Sequence, residues 1–60
     1  MRRFKITPTE IMSEEMMRAW VLPYCSASEG SYIYISYDGT GSIIVELDGI
    51  CTAPGTQEVV

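Results

Sequence analysis

The chain has 60 residues, 47% of them hydrophobic, no histidine and a formal net charge of −4. That length holds one small domain, which buries only about 60% of its unfolded surface and commonly gains from a disulfide, a metal or a second subunit, while the apolar content excludes a disordered main body. Glu29, Asp38, Glu46, Asp48 and Glu58 stand without any base in residues 24–60, which argues against a nucleic-acid partner, and no apolar run approaches the roughly 20 residues of a membrane-spanning helix.

All four basic residues, Arg2, Arg3, Lys5 and Arg18, lie in the first 18 positions and read as a solvated start. Arg2-Arg3 is not followed by an apolar stretch of about 7–15 residues, so no secretory signal peptide is visible and the compartment stays unknown. Phe4-Lys5-Ile6 alternates, as a short strand or an ordered approach to a helix would.

Thr7-Pro8-Thr9-Glu10 predicts a helix start. Thr7 suits the N-cap, Pro8 the first helical position, and Glu10 completes a capping box. Ile6 and Ile11 occupy the positions of a hydrophobic staple. The expected helix runs from Pro8 to about Val21, with Met12, Met16, Ala19 and Trp20 as its apolar stripe. Glu14 and Arg18 add a favourable i,i+4 pair. Ser13, ahead of Glu14-Glu15, offers a second cap and room for a shorter helix. Pro23 stops it.

Ser31 to Cys51 reads as one long β-hairpin around which the rest is organised. Its arms, Tyr32–Tyr37 and Ser42–Leu47, are rich in β-branched and aromatic residues. Asp38-Gly39-Thr40-Gly41 is the turn, and a loop of three residues, or five, places Gly41 where a left-handed backbone suits glycine. Tyr37 then faces Ile43, Ile35 faces Val45 and Ile33 faces Leu47. All six fall on one face, with Tyr32, Tyr34, Ser36, Ile44 and Glu46 on the other. A shift by one residue would mix the two sets, so the amphipathic register is expected. Thr52 to Val60 reads as a flexible tail whose last three residues could add a strand. The expected fold is a single α+β domain over 1–60: an N-terminal helix packed on a small antiparallel sheet of two strands, with a third as an option.

Without histidine the commonest general base and metal ligand is missing. Cys25 and Cys51 flank the hairpin and are candidates for a disulfide closing about 27 residues, worth roughly 3–4 kcal/mol by loop-closure entropy. The alternative is two buried thiols in a reducing compartment. A nucleophilic cysteine has no histidine to activate it. Met12, Met16 and Met17 near Cys25 read as core filling rather than a copper(I) site. Asp38 to Ser42 lacks the alternating ligands of a calcium loop. Glu46 and Asp48 read as a solvated strand end, because so small a chain leaves little room for a catalytic pocket. No enzyme activity, cofactor or metal is therefore expected.

Tyr32, Tyr34 and Ile44, on the face the helix does not cover, are the candidate interface, since tyrosine supplies area with a polar tip. The leading expectation is a non-enzymatic protein-interaction module that forms a homo-oligomer. A rival is the precursor of a small secreted or modified peptide. Residues 1 to about 23 would be its helical leader, a reading prompted by Ser13-Glu14-Glu15-Met16, and the disulfide-closed hairpin its product.

Overall fold

Alternation along Arg2–Ile6 sends Phe4 and Ile6 to one side and Arg3 and Lys5 to the other, and the first pair is almost wholly buried. In the computed structural model, which describes residues 1–59, this segment is strand β1. Helix α1 (Glu14–Val21) follows, then a 3-10 turn (Leu22–Tyr24) and strands β2 (Cys25–Ala27), β3 (Ile33–Tyr37), β4 (Ile43–Leu47), β5 (Gly49–Cys51) and β6 (Thr56–Val59). The main sheet has the order β3-β4-β1-β6, and β2 and β5 form a separate two-stranded ribbon. All pairings are antiparallel. The architecture is α+β-like, with one short α-helix among the described residues, placed mid-chain rather than at the N-terminus.

The hairpin has the expected register, with Ile33 opposite Leu47, Ile35 opposite Val45 and Tyr37 opposite Ile43. Gly41 has φ 89°, the left-handed conformation that glycine adopts freely. Asp38 closes the turn by accepting from the Thr40 amide at 2.9 Å. Ile43, Val45 and Leu47 form the floor of the core, with Ile33, Ile35 and Tyr37 packed against it.

Three expectations need correction. The helix does not start at Pro8. The Thr7 hydroxyl lies 2.9 Å from that of Ser42, so it ties the end of β1 to the hairpin instead of capping. Ser13 is the cap, accepting from the Met16 amide at 3.2 Å, and Glu14 and Glu15 in the first turn suit the positive helix end. The reason is the position of β1. It is held by β4 on one side and β6 on the other, so Ile6 belongs to the sheet core and cannot staple to Ile11, which is fully exposed. Residues 7–13 then lead from the end of β1 to the helix.

The buried face of the helix is also different. Met17 and Val21 are buried and Trp20 packs against the core, whereas Met16 and Ala19 face solvent. Met12 lies ahead of the helix and so does not set its phase. The C-terminal segment expected to be a tail contributes β6, paired with β1 from Thr56 to Val59; Val60 lies outside the described residues. Among the described residues the expected two or three strands become six strands in two sheets.

The cap gives a direct test. Ser13→Ala should lower stability by about 1 kcal/mol and reduce helical circular dichroism, because the first helical turn loses its side-chain acceptor. A Pro8→Ala variant should leave the helical signal unchanged. The opposite ranking would restore the helix start at Pro8.

Candidate functional site

The outer face of the main sheet follows from the strand register. Directly opposed residues share a face, so one row across the sheet reads Tyr34, Glu46, Arg3, Val59 and the next reads Ser36, Ile44, Lys5, Gln57. Helix α1 contributes Met17 and Val21 to the core on the opposite face. The outer face therefore has a charged centre: Arg3 stands opposite Glu46, and Lys5 Nζ lies 3.7 Å from Asp38 Oδ2. The side-chain hydrogen bond from Thr40, then its backbone amide, holds the Asp38 carboxyl below the usual carboxylate range.

The aromatic residues sit at one margin of this face. Tyr32 is 74% exposed and Tyr34 54% exposed, with ring centroids 6.2 Å apart in a tilted arrangement. Ile44, grouped with them from sequence, is only 9% exposed. It sits in an inner strand between Ser36 of β3 and Lys5 of β1, a neighbour invisible when the hairpin is treated as a two-stranded ribbon. Ile44 therefore adds little to any outer contact surface, whereas both tyrosines are accessible.

The strand that carries Tyr34 is an outer strand of the sheet, so among the described residues one of its edges has no strand partner. Its residues, Ile33-Tyr34-Ile35-Ser36-Tyr37, include no charge and no proline. Exposed edges usually carry such protection against pairing with another chain. The other outer strand, β6, carries Glu58, whose carboxylate takes a bidentate pair from Arg2 at 2.9 and 2.6 Å. That hydrogen-bonded pair lowers the Glu58 carboxyl and raises the guanidinium. Arg2 also lies over the Phe4 ring, 5.1 Å from its centroid. The α1 end of β3 is anchored, because the Tyr37 hydroxyl donates to the Glu14 carbonyl at 2.9 Å.

Glu46 and Asp48 serve different surroundings. Glu46 belongs to the outer-face row, and Asp48 lines a wide, shallow groove with Arg2, Ser26, Ser28, Gly49 and Ile50. The groove is open to solvent and holds one acid and one base of interest, with Arg2 already committed to Glu58.

Cys25 and Cys51 face each other across the β2–β5 ribbon. Backbone bonds from the Ser28 amide to the Asp48 carbonyl (2.9 Å) and from the Thr52 amide to the Tyr24 carbonyl (3.1 Å) mark hydrogen-bonded pairs at the two ends. Pair types alternate along an antiparallel ladder, so Cys25–Cys51 is a non-hydrogen-bonded pair, the type whose Cα atoms approach to about 4.5 Å. The sulfurs are 3.9 Å apart and unbonded. Burial, then the neighbouring Cys51, pushes the Cys25 thiol up to about 11. The sequence places the two cysteines on either side of the hairpin; their direct opposition comes from the ribbon, which neither three-residue strand announces on its own.

No helix among the described residues is long and apolar enough to cross a membrane. In comparisons with known proteins, no family model, no curated protein and no solved structure matches this chain.

Proposed function

We propose that this chain is a non-enzymatic protein-interaction module whose partner is a second copy of itself, joined edge to edge through β3. The observation that carries this reading is the uncharged, proline-free outer edge of β3 beside two exposed tyrosines. A two-fold antiparallel pairing centred on Tyr34 matches like with like. Tyr34 meets its own copy, Ile33 meets Ile35, and Tyr32 meets Ser36, so each sheet face continues across the junction. Asp38 falls opposite Gly30 in that register, and no two acids meet. The eight-stranded sheet so formed removes an open edge and adds buried area to a chain whose own core is small. Each copy carries a charge of −4, so added salt favours association.

The precursor reading is weaker on physical grounds. Residues 1–23 include Phe4, Ile6, Met17 and Val21, all core residues. Removing them as a leader would open the core and strip β4 of one of its two partners.

Sedimentation at tens of micromolar should reveal a dimer. Tyr34→Lys should weaken it at least about tenfold while leaving the denaturant midpoint of the monomer unchanged, because the charge is introduced at the two-fold centre. A wild-type chain that is folded and monomeric at millimolar concentration would remove the self-association reading.

A further inference from the structure

We propose that Cys25 and Cys51 form a reversible dithiol–disulfide site that reacts with low-molecular-weight disulfides, Cys25 exchanging first and Cys51 closing the bond. The site is independent of the β3 edge, and its readout is covalent.

Geometry makes the case. The two residues are directly opposed in a non-hydrogen-bonded pair, the pair type whose Cα atoms stand about 4.5 Å apart, inside the range of disulfides. The sulfurs, 3.9 Å apart, must close to about 2.05 Å for the bond to form. Neither thiol has a stronger commitment. Cys25 Sγ lies 3.5 Å from the Val21 carbonyl, and Cys51 Sγ lies 3.9 Å from Thr56 Oγ1.

Access orders the steps. Cys51 is buried at 5% exposure, whereas Cys25 is half-buried and can meet a small reagent. The Cys25 thiolate attacks one sulfur of the disulfide RSSR and expels a first RS⁻, leaving Cys25–S–S–R. Cys51, on losing its proton, attacks the Cys25 sulfur and expels the second RS⁻. Two thiols RSH leave, and the cysteine pair gives up two protons and two electrons. The raised Cys25 thiol keeps the thiolate scarce near neutrality, so the first step is slow there and accelerates as pH rises towards about 11. The product ties the end of the helical segment, through Cys25, to β5 at the base of the hairpin.

The test uses the full chain in buffers of set oxidised-to-reduced glutathione ratio, quenched by alkylation and weighed intact. Because a bond that stabilises the fold is stabilised by the fold in equal measure, its equilibrium constant should be at least tenfold larger in native buffer than in urea. An equal or smaller native constant overturns the proposal. Brief oxidation followed by peptide mapping should find the glutathione adduct on Cys25. Cys51→Ser should accumulate that adduct, and Cys25→Ser should react at least tenfold more slowly. Adduct found first on Cys51 overturns the order of attack, and this mapping on the unmutated chain holds even where a serine variant fails to fold. The initial rate should rise about tenfold per pH unit between pH 7 and 9, and a flat profile overturns Cys25 as the attacking thiol.

Discussion

Gly49→Ala should destabilise the protein by at least about 3 kcal/mol, enough to unfold most of a population whose core supplies only a few kcal/mol. A Cβ at this position would fall on the Ser26 carbonyl oxygen and within 2.8 Å of Ala27 Cα. These are backbone atoms of the paired strand, so no side-chain rotation relieves the overlap. Gly49 stands opposite Ala27, two residues from the cysteine pair and of the same close type, which is why the ribbon tolerates only a hydrogen there. Gly39→Ala is the control. Its added Cβ would meet nothing within 4 Å, and only the cost of φ 80° remains, about 1–2 kcal/mol. Urea midpoints measure both. Equal losses at the two glycines would mean that β2 does not press on β5.

The second large effect is Ile6→Ala, expected to lower stability by about 2–5 kcal/mol, against a change within about 0.5 kcal/mol for Ile11→Ala. Ile6 is fully buried in a strand with neighbours on both sides, and truncating it leaves a cavity that β4 and β6 cannot close. Ile11 is fully exposed on the loop that leads to the helix. The same two residues are the natural staple pair of a helix capped at Thr7, and in that arrangement both truncations would cost similar amounts. The ratio of the two denaturation shifts therefore decides between a helix that begins at Pro8 and one that begins at Glu14.

What could be read from the chain alone was local. The hairpin register from Ile33–Leu47 to Tyr37–Ile43 follows from alternation in two adjacent arms and from the parity of the Asp38–Ser42 loop. A slip of one residue would turn every side chain over, so the local pattern carries enough free energy to choose a single pairing. Ser13 was also visible as a cap, but it competed with Thr7, whose four agreeing signals were equally local. Only the tertiary structure decided between them, because the choice depends on whether Ile6 belongs to a strand or to a helix start. Sheet order made that decision: β1 pairs with segments 37 to 56 residues away (Ile6 with Ile43, Arg3 with Val59), and nothing in Phe4-Lys5-Ile6 names those partners. The same non-local pairing buried Ile44, recruited Thr56–Val59 as a strand, and set the helix phase on Met17 and Val21. It also brought Cys25 opposite Cys51. A side chain's direction along a strand is a matter of residue parity, which sequence carries, whereas its neighbour across the ladder is a matter of which distant strand wins the edge, which depends on the free energy of the whole assembled sheet.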